Sequence, residues 1–259
     1  MSSGLIYVYC LLHSIKRPAV RRMPAGMPGA TGVRVIGVGD ELWAVVSTVP
    51  SADYGEAALA RGLQEVEWVG ERAIAHERVV ERFLGAAAVL PMQLFTIFTG
   101  DDRVIDHVRA DRRRISRILK RIEGKVEWGL RLTWNERSAR AIAGRSSARS
   151  GRPGPRGTAY LIRKRDVLDL NRTRLAQARA EANTLYRALS RESSEATRRT
   201  SMERAAPGSR LLLDAAFLVS SRDAGSFRAA LRTRARSLRS AGVSVSLTGP
   251  WPPYNFIGR

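Results

Sequence analysis

The sequence predicts an α+β protein of two domains. Short runs of β-branched and aromatic residues alternate with longer stretches whose apolar residues recur at the helical period. Residues 138–157 (SARAIAGRSSARSGRPGPRG) are rich in Gly, Ser, Pro and Arg and divide the chain. Ahead of that divide the elements run β, ββ hairpin, α, β, α, β. This order suits a largely antiparallel, ferredoxin-like sheet with two helices on one face. The expected layout is a ferredoxin-like N-terminal domain over 1–137 and a linker over 138–157. A smaller α/β domain with a long helix follows over 158–248, and a Pro/aromatic tail closes the chain over 249–259.

Leu5–Leu12 is aromatic and β-branched and reads as a strand. Lys16–Gly32 has no apolar period and reads as a loop. Val33–Val38 and Glu41–Val46 form a hairpin around Gly39-Asp40, where Gly39 supplies the positive φ of the turn. Gln64–Leu84 reads as a helix with Val66, Val69, Ala73, His76, Val80 and Phe83 on its apolar stripe. Ala87–Phe98 is a strand interrupted by Pro91, and so an edge or bulged strand. One helix then starts on Asp101-Asp102, whose charges suit a helix N-terminus. It buries Val104, Val108, Ile115, Ile118, Leu119 and Ile122. Its other face carries Arg109, Arg112, Arg113, Arg114, Arg117, Lys120 and Arg121. Beyond Gly124, Val126, Trp128, Leu130, Leu132 and Trp134 alternate with mixed residues, so one face of that strand is buried. In the second half Thr158–Arg191 reads as one helix, with Tyr160, Leu161, Leu168, Leu175, Ala178, Ala182, Leu185 and Leu189 inward. Glu195–Met202 and Leu211–Val219 read as strands, Asp223–Ser240 as a helix and Val243–Leu247 as the last strand.

Charge is the main compositional signal. Of 259 residues, 44 are Lys or Arg and 24 are Asp or Glu, a formal net charge of +20. Lys16, Lys120, Lys125 and Lys164 are the only lysines. An Arg- and Ala-rich bias of the kind a GC-rich genome writes explains Arg over Lys but not the excess of base over acid. The excess calls for an anionic partner or for solubility by self-repulsion. Cys10 is the single cysteine, which excludes an internal disulfide and a thiolate zinc site and fits a reducing, cytoplasmic setting. Gly4–Leu12 is too short to span a bilayer and has no basic segment before it, so neither a membrane span nor a signal peptide is expected.

Little in the chain points to catalysis. His76-Glu77 opens like a zinc-protease helix, but Val80 stands where the second histidine would be. His107 sits beside the arginine run and reads as solvated, and His13 lies at a strand end. Gly37-Val38-Gly39 lacks the third glycine and the following helix of a dinucleotide fingerprint. No phosphate-binding loop or nucleophile elbow is present. The chain is therefore expected to be no enzyme, with no cofactor and no metal. The candidate partner contacts are Arg109, Arg112, Arg113 and Arg117 on the basic helix, with Leu94 and Phe95 on the interrupted strand. A basic nucleic-acid-binding module on a ferredoxin-like fold is the alternative. It is disfavoured because Trp128 and Trp134 fall on the face expected to be buried, not on a base-stacking surface.

The chain ends on Gly249-Pro250-Trp251-Pro252-Pro253-Tyr254-Asn255-Phe256. Gly249 permits an unusual turn, and the three prolines hold the backbone extended. Trp251, Tyr254 and Phe256 carry too much apolar area to stay wet. Trp251, Pro252, Pro253, Tyr254 and Phe256 are thus read as a clasp onto the chain itself, with a partner-binding tail as the alternative.

This ending resembles that of the gas vesicle GvpL/GvpF family, and the likeness runs along the chain. YVYCLL and ELWAVVS resemble its first strands. EWVGERAIAHERVVERFL and AVLPMQLFTIF resemble its central helix and the strand after it. GKVEWGLRLTW, LLLDAAFLV and LTGPWPPYNF resemble its later segments. Leu94 stands where that family usually has Gly, and the linker is unusually rich in Arg and Ser. The resemblance implies a modified ferredoxin-like N-terminal domain and a non-enzymatic accessory protein of gas vesicle assembly, cytoplasmic and at the vesicle. Its implied partners are the small hydrophobic shell protein, kept from aggregating during nucleation, and other accessory proteins.

Overall fold

The computed structural model describes residues 4–135, 158–200 and 208–258, without the side chains of residues 158–164 and 166–168. The expected linker, the segment around Met202 and the side chains of Tyr160, Leu161 and Leu168 lie outside the described residues. Contacts divide the chain into two compact units, Met1–Val126 with Pro250–Arg259, and Glu127–Gly249.

In the first unit, β1 (Gly4–His13), β2 (Arg34–Gly39), β3 (Leu42–Pro50), β4 (Ala88–Pro91) and β5 (Ile97–Phe98) form one sheet. Its order is β2-β3-β1-β4, with β5 also on β1. All these pairings are antiparallel. The interrupted strand divides after Pro91. Cys10 pairs with Pro91 and Tyr7 with Ile97, so both pieces lie along β1. The turn between them places Phe95 at φ 65°. The residue that takes glycine's conformation is therefore Phe95, one beyond Leu94. The hairpin turn differs likewise: Glu41 at φ 54° takes the left-handed position, and Gly39 does not.

Helices cover both faces of this sheet, which corrects the one-face expectation. Ile6, Val8 and Leu11 join a core with Val104 and Val108 of α4 (Asp101–Ala110) and Ile115, Ile118, Leu119 and Ile122 of α5 (Arg112–Ile122). Tyr7, Tyr9, Cys10 and Leu12 join the other core, with Val79 and Val80 of α3 (Val66–Glu81) and Tyr54 of the short helix α1 (Ser51–Tyr54). A second short helix, α2 (Glu56–Gly62), precedes α3. A register shift between Val8 and Cys10 turns neighbouring Tyr9 and Cys10 into the same core. The predicted basic helix is two helices, broken at Asp111, whose backbone leaves helical geometry. On α3 the buried residues are Arg72, His76, Val79 and Val80, whereas Val66 and Ala73 of the predicted stripe face out. Arg72 is buried because its guanidinium lies 3.8 Å from the Trp68 ring centroid and 5.6 Å from that of Tyr54. These aromatic faces replace water around the cation.

The second unit holds most of β6 (Lys125–Asn135) and β9 (Val243–Trp251), with α6 (Thr158–Arg191), β7 (Glu195–Arg198), β8 (Ser209–Ser220) and α7 (Ala224–Ser240). The sheet order is β7-β8-β6-β9. The strand carrying Trp128 and Trp134 thus belongs to the second sheet, not the ferredoxin-like one. Asn135 donates its N–H to Gly242 O, and Thr248 approaches Gly129, so β6 and β9 run antiparallel. Ala178, Ala182, Leu185 and Leu189 of α6 are buried, as their spacing predicts, and Leu175 is half-buried; on α7 Phe227, Leu231, Ala235 and Leu238 are buried.

Asp214 on β8 is a buried carboxylate held by two arginines. Arg131 Nη2 donates to Oδ2 at 3.1 Å, and Arg199 Nε donates to Oδ1 at 2.7 Å. Removing the carboxylate brings two like charges together. The arginines are about a third exposed, so water screens part of that cost. Asp214→Ala is expected to destabilise the protein by about 2–3 kcal/mol in urea denaturation, toward the low end for a broken buried pair.

Candidate partner-binding surface

The α4–α5 layer presents the predicted arginines to solvent while Val104, Val108, Ile115, Ile118, Leu119 and Ile122 hold it on the sheet. Period and break together separate the cations. Arg109, Arg112 and Lys120 line a cleft of about 370 Å³ between the α4–α5 layer and the β2–β3 turn. Val38, Leu42, Val108 and Leu119 form its apolar part, and His13, Asp40 and Glu123 also reach it. Arg113 and Arg117 lie on the outer side of α5, away from that lining. Arg112 donates to Asp40 at 3.1 Å, with both groups largely exposed, an ion pair worth at most about 1 kcal/mol. Arg34 grips Asp101 in a two-pronged pair at 2.7 and 2.8 Å, tying β2 to the start of α4.

Leu94 and Phe95 are not part of that surface. Phe95 packs into the core on the opposite side of the sheet and stacks on Trp68 with centroids 5.3 Å apart. Leu94 is half-buried in the same turn. The structure brings Arg109 and Arg112 together and keeps the two apolar candidates apart from them.

The tail residues belong to the first unit. Pro252, Pro253 and Phe256 are buried, Trp251 and Tyr254 half-buried. Gly249, at φ 120°, allows the bend that precedes them. Tyr254 lies toward Glu77, Cys10 and Tyr7, on the α3 side. Ile257 packs against the α4–α5 core, so the tail touches both layers. Burial pushes the Tyr254 phenol far up, and the Glu77 carboxylate pushes it the same way.

Beneath the tail is a buried polar group that sequence pattern did not reveal. Tyr7 Oη and His76 Nδ1 share a hydrogen bond at 2.8 Å, and Tyr7 Oη accepts the Phe95 N–H. Tyr9 Oη donates to Ser47 Oγ and accepts the Met27 N–H at 2.9 Å. The only sequence sign was polar tips on core aromatics. Burial lowers the His76 pKa to about 4 and raises the Cys10 thiol, so neither is poised as a base or nucleophile at neutral pH. Among the described residues no group of three or more His, Cys, Asp or Glu can hold a metal ion, and no helix is long and apolar enough to cross a membrane.

Two outcomes follow from this packing. Phe256→Ala is expected to cost about 3–5 kcal/mol, read as a lowered denaturation midpoint. His76 binds its proton more weakly folded than unfolded, so its contribution is present above about pH 6.5 and is lost as pH falls toward 4. His76→Gln is expected to flatten the dependence of stability on pH across that window and leave the slope above it unchanged.

A family model for gas vesicle synthesis protein GvpL/GvpF matches residues 5–258. Gas vesicle protein L of a Streptomyces species is 31% identical, over 98% of this chain and 93% of its own length. Gas vesicle protein L2 of Halobacterium salinarum is 26% identical, over 96% and 90%. The crystal structure of GvpF from an Anabaena species superposes with a TM-score of 0.68 at 13% identity, covering 99% of this chain and 97% of that one. GvpF from Microcystis aeruginosa superposes at 0.66 and 14% identity, covering all of both chains. These structural matches, at such low identity, speak for the fold, while the family model and the relatives speak for descent. The chain belongs to the gas vesicle GvpL/GvpF family.

Proposed function

We propose that this chain is a non-enzymatic accessory protein of gas vesicle assembly, acting in the cytoplasm and at the vesicle. It binds the small hydrophobic shell protein and other accessory proteins, and keeps shell protein from aggregating during nucleation. The family match along residues 5–258 carries this reading. Two features of the first unit support a binding role. β2 and the β4/β5 pair are the outermost strands of its sheet, and an extended partner segment can add to such an edge through backbone hydrogen bonds. The exposed arginines of α5 provide positive field that speeds the approach of an acidic surface. The tail, with Phe256 and the two buried prolines, acts as a clasp that keeps the first unit closed while its edges are engaged.

The test is a pull-down of purified shell protein in the presence of competing RNA at two salt concentrations. Retention of soluble shell protein with RNA present is the expected result. Loss of shell protein, with RNA held at low salt and released at high salt, overturns it in favour of a nucleic-acid module. Reversing Arg112, Arg113 and Arg117 to Glu is expected to slow shell-protein association by about tenfold or more and to flatten its salt dependence. An unchanged rate rules out steering by this face. Leu94→Asp is expected to weaken shell binding, and intact binding rules out the β4/β5 edge.

A further inference from the structure

The first unit carries two exposed surfaces of opposite character on opposite faces of one sheet. One is the outer side of α2 and α3. Residues 51–82 hold seven acidic and four basic side chains, in a chain where bases outnumber acids 44 to 24. Leu63, Val66 and Ile74 are 54%, 87% and 56% exposed, three of the six large apolar side chains that solvent reaches among the described residues. At about 100° per residue, Ile74 falls between Glu67 and Glu81, with Glu71 beside them and Arg78 the one cation on that face. Gly70 lies on the same side with open space above it, so a partner's backbone can come close. Among the described residues Glu67 and Glu81 have no ion-pair partner. The result is an apolar ridge with an acidic border.

The other surface is the cleft between the α4–α5 layer and the β2–β3 turn. Its floor is Val38, Leu42, Val108 and Leu119, and Arg109, Arg112 and Lys120 stand on its rim. Asp40 is taken up by Arg112, and Glu123 lies 3.8 Å from His13. Among the described residues Arg109 and Lys120 have no carboxylate partner. The cleft is thus concave, apolar below and cationic above, where the ridge is convex, apolar and anionic.

We propose that the occupant of this cleft is the α3 ridge of a second copy of this chain. Ile74 enters over the apolar floor, and the carboxylates beside it meet Arg109 and Lys120. Because ridge and cleft lie on opposite faces of the sheet, a copy cannot fill its own cleft. The contact is head-to-tail, and it leaves one ridge and one cleft open for further copies. The proposal goes beyond the gas vesicle reading and does not depend on it. Its test changes Arg109 and Lys120, while the test of that reading changes Arg112, Arg113 and Arg117.

The experiment is sedimentation velocity on the full chain over about 1–100 μM, at about 0.15 M and about 1 M salt. The expected result is a mass that rises with concentration at the lower salt and returns toward the monomer at the higher. Glu67→Arg/Glu81→Arg and Arg109→Glu/Lys120→Glu are each expected to weaken self-association by about tenfold or more, and mixing the two variants to recover it. Circular dichroism and the thermal midpoint establish that each variant is folded. Ile74→Asp, a single exposed change, gives the same loss if either double variant folds poorly. A wild-type chain that stays monomeric at about 100 μM in 0.15 M salt overturns the proposal. So does association that folded variants leave unchanged, or that mixing does not restore. Shell-protein capture is read separately: its failure with self-association intact counts against the gas vesicle reading alone.

Discussion

Everything in the first unit depends on β1 being buried on both sides. Seven consecutive residues, Ile6–Leu12, are out of solvent. A strand at the edge of a sheet, or with one wet face, could not carry such a run. It must be central, and both faces must be covered. Its neighbours follow from that: β3 on one side, β4 and β5 on the other. The two layers follow as well, because neither face can be left bare. The shift at Tyr9 brings two polar-tipped or polarisable side chains, Tyr9 and Cys10, under the α3 layer, where Ser47, Met27 and His76 meet the aromatic tips.

This burial was legible in the sequence, but only in part. YVYCLL has no alternation, and a run without alternation already argues for two covered faces. The number and order of helices suggest one covered face, but they cannot say on which side of the sheet each helix returns. The strand of Trp128 and Trp134 shows the same limit. Its alternation reports a buried face correctly, but strand pairing is settled by residues far along the chain, and it pairs in the second sheet. Local stereochemistry was harder still. Gly39 offers positive φ, yet Glu41 takes it, because turn length and register decide which residue sits in the strained position.

The candidate surface was readable at the level of side-chain type. The arginine spacing on α5 places its cations outside, and Arg112, Arg113, Arg114, Arg117 and Lys120 are exposed, with Arg121 half-buried. The cleft was not readable, since it needs the break at Asp111 and the β2–β3 turn to meet. The burial of Arg72 is hidden from the sequence for a related reason. A charge is read as exposed by default, and only the rings of Trp68 and Tyr54 make a dry place for it.

Net charge and local charge pull in opposite directions in this molecule. At +20, two copies repel over any distance the solvent does not screen. At about 0.01 M salt that range is about 30 Å, and whole molecules feel it. At about 0.15 M it is about 8 Å, and at 1 M about 3 Å. Contact pairs between a ridge and a cleft act at a few ångströms, so moderate salt removes the long-range repulsion before it removes them. Attraction between copies must therefore be strongest at intermediate ionic strength and weaker on both sides. A simple anionic partner shows no such maximum, since its attraction to the net charge only falls as salt rises. The shape of the salt curve thus separates a contact built from local complementarity from one driven by the overall charge.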